Sequence, residues 1–149
     1  MSLFARALVA FLALPGTVAF LVPALWVWRA QLPLRQPLGL LATALGTAGL
    51  LWCVRDFYAS GKGTLAPWAP PRELVVVGLY RYSRNPMYVS VLLVLLGWAM
   101  AFASRGLLLY ALAVALAFHL RVVFGEEPWL ARTHGEAWSA YARRVRRWL

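Results

Sequence analysis

Four long stretches without a charged residue make up about half of this 149-residue chain. They span residues 7–28, 36–54, 85–104 and 106–120, and contain 22, 19, 20 and 15 residues. A helix needs roughly 20 apolar residues to cross the hydrocarbon core of a bilayer, and only helices and closed barrels satisfy every backbone polar group there. Because the sequence shows no long alternation of polar and apolar residues, we expect an all-α integral membrane bundle of four transmembrane helices.

The composition indicates a single domain over residues 1–149. Hydrophobic residues make up 62% of the chain, and no polar linker divides it. The net charge of +10 would suit nucleic acid, but the basic residues are spaced around the apolar stretches. We therefore expect anionic lipid headgroups, and not nucleic acid, as the partner of these charges.

The basic residues are divided unequally between the two sides of the predicted bundle. Arg6 and the ranges 55–84 and 121–149 hold 12 of the 15 Lys and Arg residues, and the opposite side holds three. By the positive-inside rule, both termini are expected in the cytoplasm of a bacterial or equivalent inner membrane. The first apolar stretch is too long for a signal peptide and lacks a clear cleavage site, so we expect a retained helix.

Local sequence features predict how the helices begin, pack and end. Gly39, Gly46 and Gly49 are small residues that allow another helix to approach closely. Pro86 suits the first turn of the third helix, and residues 104–106 are expected to turn the chain into the fourth. Beyond Pro128, aromatic residues lie among arginines, which predicts an amphipathic tail helix on the cytoplasmic interface.

The first polar cluster is Gly61-Lys62-Gly63-Thr64, within a segment rich in Gly and Pro that favours turns over helix. A lone Gly-x-Gly is a weak signal, and no strand–helix–strand unit surrounds it. Two interpretations stay open: a turn that needs positive φ, or a bare backbone that approaches a ligand.

The second polar cluster covers residues 81–88, Arg-Tyr-Ser-Arg-Asn-Pro-Met-Tyr. Anchoring at the membrane interface explains Arg81 and Tyr82 well. It explains less well why Asn85 and Tyr88 stand where an apolar stretch begins, so both are candidate site residues.

The third polar cluster contains Arg121, Glu126 and Glu127. Ionisable residues at membrane depth are candidates for function, although Glu127 could equally begin the tail helix. Arg121 and Glu126 lie about 140° apart on an ideal helix of 3.6 residues per turn, so they can pair directly only if Gly125 loosens the last turn. The lone Cys53 and the isolated His119 give no reason to expect a metal site.

Together, these clusters resemble the membrane methyltransferases that include phosphatidylethanolamine N-methyltransferase and isoprenylcysteine carboxyl methyltransferase. The similarity covers roughly residues 57–141 and lies in the order and spacing of its elements. These are Phe57-Tyr-Ala, Gly61-x-Gly63, Gly78-x-Tyr80, Arg84-Asn85-Pro86-x-Tyr88, Gly97-Trp98, Glu126-Glu127-Pro128, Gly135 and Tyr141. Asn85 stands where the carboxyl-methylating branch usually has His, so the pattern is more like the phospholipid branch.

The resemblance implies a methyl donor, S-adenosylmethionine, in a pocket at the cytoplasmic ends of the helices, within about residues 57–141. The positions that it assigns to this pocket are Gly61, Gly63, Tyr80, Arg84, Asn85, Pro86, Tyr88, Glu126 and Glu127. It assigns Arg121 to the acceptor side, so Arg121 and Glu126 are the expected catalytic residues.

The chemistry of such a site is consistent with these residue types. Methyl transfer from a sulfonium is an in-line displacement, and orientation alone can supply roughly 7–11 kcal/mol. Glu126 or Glu127 could hold the donor's ammonium or ribose hydroxyls, and Arg84 its carboxylate. An amine acceptor must arrive deprotonated and could require a base, whereas a carboxylate acceptor would need none.

The expected function is methyl transfer to a membrane lipid or lipid-like acceptor, with a phospholipid amine favoured. One alternative is carboxyl methylation of an isoprenylcysteine-like or other small hydrophobic acceptor. An alternative of another class is a non-catalytic packing or transporter subunit. Ion transport is disfavoured because no apolar stretch has an acidic or basic residue at its centre.

Overall fold

The computed structural model describes residues 12–60 and 73–149, and the regular structure in these ranges is helical. Helix α1 consists of a π-helical segment, Leu12–Leu21, and an α-helical segment, Val22–Arg29. The remaining helices are α2 (Leu38–Ser60), α3 (Pro86–Ala101), α4 (Arg105–Arg121) and α5 (Glu127–Arg144). A 3₁₀ helix, Gly78–Arg81, precedes α3, and a π-helical turn, Val122–Glu126, joins α4 to α5. The all-helical prediction is confirmed.

Two of the described helices are long and apolar enough to cross a membrane. These are α2 and the continuous helix Arg105–Arg144, whose apolar part is α4. Ala13–Arg29 and Pro86–Ala101 are apolar but shorter, and the 16 residues of α3 extend only about 24 Å at 1.5 Å per residue. Four membrane spans therefore stay a prediction, and the start of the first predicted span lies outside the described residues.

Helices α2 and α3 pack backbone against backbone through their glycines. A Cβ atom added to Gly46 would lie 2.7 Å from the Val94 backbone nitrogen and 2.8 Å from the Ser90 carbonyl oxygen. A Cβ atom on Gly39 would lie 2.6 Å from the Gly97 carbonyl oxygen, and one on Gly49 would lie 2.7 Å from Ser90 Oγ. The predicted packing role of the three α2 glycines is confirmed.

The buried core lies where the four apolar helices meet. Its fully or nearly fully buried side chains are Ala19, Leu50, Val91, Val94, Leu95 and Ala111. One polar contact joins α1 to α4, since the Tyr110 hydroxyl donates to the Val18 carbonyl oxygen at 3.0 Å. Interhelical polar contacts of this kind add to packing in a bundle that gains little from apolar burial in lipid.

One end of the bundle is closed by short connections. The backbone nitrogens of Arg35 and Gln36 both donate to the Ala101 carbonyl oxygen, at 2.8 and 3.0 Å. Ser104 Oγ caps α4 by accepting from the Leu107 backbone nitrogen at 3.3 Å. The α1–α2 connection and the α3–α4 turn therefore lie side by side, and the turn predicted at residues 104–106 is confirmed.

The tail helix α5 differs in one respect from the predicted interfacial helix. Trp138 and Tyr141 are only 7% and 5% exposed, because they pack inward against the other end of the bundle. Trp129 is 36% exposed. The two buried rings have polar partners inside the protein, which a lipid-facing position would not offer, and they bring α5 to the polar clusters.

Candidate functional site

The segment between α2 and α3 is shaped so that its polar residues turn inward. Gly78 has a φ of +56°, and a Cβ atom there would clash with the Asp56 carboxylate and lie 2.9 Å from Trp52 Nε1. Only glycine is compatible with this position, because it combines positive φ with close packing. The following 3₁₀ turn buries Tyr80 to 6% exposure, and this burial raises the pKa of its hydroxyl well above the usual value.

A cavity of about 90 Å³ lies between this segment, the start of α3 and the α4–α5 junction. Five of the predicted site residues line it: Tyr80, Arg84, Asn85, Tyr88 and Glu126. Aromatic and apolar side chains complete much of the wall, among them Phe57, Val75, Met87, Leu130, Trp138 and Tyr141. The arrangement is a small, mainly apolar cavity with a few convergent polar groups, and this lining is typical of a ligand site.

Glu126 lies at the centre of the first polar group in this wall. The Tyr88 hydroxyl donates to Glu126 Oε1, and Arg121 Nε donates to the same oxygen at 2.7 Å. This pair forms because the chain runs through the π-helical turn Val122–Glu126, in which i→i+5 bonding brings residues five apart closer together. The predicted condition, a loosened last turn that includes Gly125, is met.

Glu127 lies at the centre of the second polar group. Arg147 donates to both carboxylate oxygens, from Nε to Oε1 and from Nη2 to Oε2, at 2.9 Å each. Arg84 Nη1 lies 3.2 Å from Oε1, and the side chains of Arg84 and Glu127 are only 13% and 15% exposed. The hydrogen bonds with Glu127 raise the pKa of Arg147.

Arg84 has incomplete hydrogen bonds within the described residues. Its guanidinium carbon lies 5.5 Å from the centroid of the Trp138 ring, in cation–π geometry. One of its terminal nitrogens pairs with Glu127, but Nε is buried without a hydrogen-bond partner among the described residues. A buried donor left unpaired costs about 1–3 kcal/mol, so the position favours a ligand that accepts a hydrogen bond.

The segment after α5 closes the site from one side. The Arg84 backbone nitrogen donates to the Arg146 carbonyl oxygen at 2.8 Å, and Asn85 Nδ2 donates to the Arg147 carbonyl oxygen at 2.9 Å. Tyr141 adds a buried hydrogen bond from its hydroxyl to the Tyr80 carbonyl oxygen at 2.7 Å. Residues far apart in the chain are thus fixed around one cavity.

Comparison with known proteins identifies the chain at the level of family. Residues 34–137 match the profile of a family described as phospholipid methyltransferase. The chain belongs to the phospholipid methyltransferase family. The similarity to membrane methyltransferases expected from the sequence motifs is therefore confirmed.

A curated relative of this phospholipid methyltransferase family member is the cobalt-zinc-cadmium resistance protein CzcN of Cupriavidus metallidurans. The two are 37% identical over 114 residues, which cover 76% of this chain and 48% of CzcN. The chain thus spans about half the length of this relative. No solved structure matches the chain.

Not every predicted site residue of this family member lies in the cavity wall. Arg121 lies behind the wall and donates to the wall residue Glu126. Glu127 likewise pairs with the wall residue Arg84. Pro86 is buried as the first residue of α3, where its carbonyl oxygen accepts from Ser90 Oγ at 2.8 Å. Gly61 and Gly63 lie outside the described residues.

The structure also brings in residues that sequence reasoning did not assign to the site, among them Arg147, Trp138 and His134. Arg147 was grouped with the basic residues expected to face anionic lipid, and Trp138 with the interfacial aromatics. His134 belongs to none of the sequence motifs. The spacing of Trp138 and Tyr141, three residues apart on α5, was a signal for one buried helix face.

Proposed function

We propose that this protein transfers a methyl group from S-adenosylmethionine to a membrane lipid or lipid-like acceptor, with a phospholipid amine favoured. The observation that carries the proposal is the cavity in which Arg84, Tyr88 and Glu126 converge at one end of an apolar bundle. Membership of the phospholipid methyltransferase family supports the reaction type.

The polar groups of the cavity are suited to a donor that carries a negative carboxylate and a positive ammonium group. Arg84 Nε, which is buried and has no hydrogen-bond partner in residues 12–60 and 73–149, would donate to a carboxylate. The Glu126 carboxylate would accept from an ammonium group or from ribose hydroxyls, and Glu127 would hold Arg84 in position. When bound, the donor supplies an electrophilic methyl group on a sulfonium, and the protein's task is to hold the acceptor in line with it.

Arg121 is suited to the acceptor side of the site. Its side chain is 51% exposed, while its Nε is fixed by Glu126. The remaining guanidinium nitrogens can therefore bind a phosphate or carboxylate through the planar fork of the group. An amphiphile arriving laterally from the bilayer would place its headgroup beside Arg121 and its chains along the apolar helices.

The proposal includes the arrangement in the membrane. One domain, residues 1–149, would cross the inner membrane four times with both termini in the cytoplasm and the donor region at about residues 57–141. The polar cavity would then lie at the cytoplasmic interface, and the exposed arginines of α5 would face anionic headgroups.

Calorimetry with S-adenosylmethionine on the purified protein is the direct test. We expect binding, and we expect Glu126→Ala to weaken it about tenfold to hundredfold, because a hydrogen bond to a charged group contributes about 1.5–3 kcal/mol. Glu136→Ala is the matched control, since Glu136 is an exposed carboxylate on α5. Absence of donor binding by the folded protein would refute the proposed function, and an unchanged affinity of Glu126→Ala would remove Glu126 from the site.

A further inference from the structure

His134 is a titratable residue of the cavity to which the proposed function gives no role. It lines the same cavity as Tyr88 and Glu126. Its Nε2 atom is buried and has no hydrogen-bond partner among the described residues. An enclosed polar atom of this kind costs about 1–3 kcal/mol unless a partner arrives, so a ligand in the cavity is a natural candidate for that partner.

The local backbone fixes the position of His134. Gly135 follows it with φ +50° and ψ −119°, which interrupts the helical geometry of α5 at that point. The Trp129 ring lies at 6.2 Å from the imidazole and nearly perpendicular to it, at 85°. Packing against Trp129 alone would be served equally well by a phenylalanine, and it does not explain a buried imidazole nitrogen that has no hydrogen-bond partner among the described residues.

We propose that His134 is the base that accepts the proton from the amine acceptor favoured in the proposed function. This inference rests on the proposed function and adds a catalytic residue to it. An amine is protonated and unreactive near neutral pH, whereas a carboxylate is already a nucleophile and needs no base. Imidazole is the side chain suited to this task at physiological pH.

Methyl transfer to the amine combines one proton transfer with one displacement. A protonated amine gives its proton to His134 Nε2, and the freed lone pair on nitrogen attacks the methyl carbon. The carbon–nitrogen bond forms as the carbon–sulfur bond breaks, and the electron pair of that bond stays on sulfur as a thioether. The positive charge passes from sulfur to the methylated nitrogen, and the imidazolium releases its proton to water.

The other titratable groups around the cavity are less suited to this role. They are Glu73, Tyr80, Arg84, Tyr88, Glu126 and Tyr141. Glu126 Oε1 accepts from Tyr88 and Arg121, and the proposed function assigns this carboxylate to the donor. The Tyr88 hydroxyl already donates to Glu126, and Glu73 makes an interaction of its own. The Tyr80 and Tyr141 hydroxyls would have to ionise while buried, and Arg84 has no lone pair to offer.

The test compares His134→Gln with His119→Gln, a matched control because these are the two histidines of the chain and His119 lies outside the cavity wall. Purified protein would be assayed for methyl transfer to vesicles containing phosphatidylethanolamine between pH 6 and 9. We expect the parent rate to rise with pH, and we expect kcat of His134→Gln to fall on the order of 10²-fold or more and to lose this rise. S-adenosylmethionine affinity should stay unchanged in both variants.

Two further measurements separate catalysis from packing and from the donor site. His134→Phe keeps a ring against Trp129, so it should retain thermal stability and donor affinity but show the same loss of kcat. A parent-like rate and pH profile in His134→Gln would overturn the inference. Methyl transfer to a prenylated cysteine but not to phosphatidylethanolamine would also overturn it. The same holds if the protein binds the donor but transfers no methyl group to the amine. Those outcomes do not contradict the donor site, whereas absence of donor binding by the parent protein would refute the proposed function itself.

Discussion

Arg147 binds the Glu127 carboxylate in bidentate fashion, with Nε and Nη2 each 2.9 Å from a different carboxylate oxygen. The two residues are 20 positions apart, and Glu127 in turn pairs with the buried Arg84. The Arg147 carbonyl oxygen also accepts from Asn85. One residue after α5 therefore holds both Glu127 and Asn85 in position. The segment after α5 is therefore part of the candidate site and not only a basic surface.

This relationship predicts that Arg147→Lys weakens S-adenosylmethionine binding. An ammonium cannot reproduce the parallel pair of hydrogen bonds, so Glu127 and Arg84 lose their fixed positions. The loss of one charge-assisted bond, about 1.5–3 kcal/mol, corresponds to roughly a tenfold to hundredfold rise in Kd. Calorimetry measures it, with Arg146→Gln as the control because that side chain is exposed. Equal affinities of the two variants would contradict a supporting role for Arg147.

Arg121→Lys should impair turnover more than donor binding. Arg121 Nε is used by Glu126 at 2.7 Å, and its exposed guanidinium end is the part that can orient an acceptor phosphate or carboxylate in two-point fashion. We expect kcat for transfer to phospholipid to fall at least tenfold, which is the effect of about one lost hydrogen bond to a charged group. The donor Kd should change less than about threefold. Arg132→Lys, an exposed position on α5, is the control. A loss confined to donor affinity would move Arg121 to the donor side.

Gly46→Ala should destabilise the bundle. The added methyl would lie 2.7 and 2.8 Å from backbone atoms of Val94 and Ser90, so α3 must move away as a unit. Overpacking of this kind costs typically about 1–3 kcal/mol. The measurement is unfolding in detergent followed by tryptophan fluorescence. Gly125→Ala, where an added methyl meets no atom within 4 Å, should show little change, and equal stability of both variants would argue against close α2–α3 packing.

The sequence was sufficient for the helical fold and for the glycine contacts because both depend on local composition. Uncharged stretches predict helices in lipid without any knowledge of their partners. Small residues at helix positions likewise predict close approach, as Gly39 and Gly46 show. The inward packing of Trp138 was not predictable in the same way. A tryptophan among arginines is equally suited to a membrane interface, and only the contact with Arg84 decides between the two positions.

The candidate site was predictable where its residues lie within short motifs. Tyr88 and Glu126 each stood in a recognisable cluster, although their hydrogen bond joins residues 38 positions apart. Arg147 and Asn85 are 62 positions apart, and no local pattern connects them. His134 shows the same limit, because a single histidine acquires a role only when the fold places it beside other polar groups.

The arrangement in the membrane gives the last prediction. The α1–α2 connection contacts the α3–α4 turn through hydrogen bonds to the Ala101 carbonyl oxygen, while the polar cavity and α5 lie at the opposite end. The proposed four spans would put 12 of the 15 basic residues on one side and those two ends on opposite membrane faces. Leu34→Cys and Ala137→Cys, both exposed positions, should therefore react with a membrane-impermeant thiol reagent from opposite sides of sealed vesicles. Cys53 is fully buried, so the parent chain should stay unlabelled and serve as the blank. Labelling of both cysteines from the same side would reduce the number of spans and displace the cavity from the cytoplasmic interface.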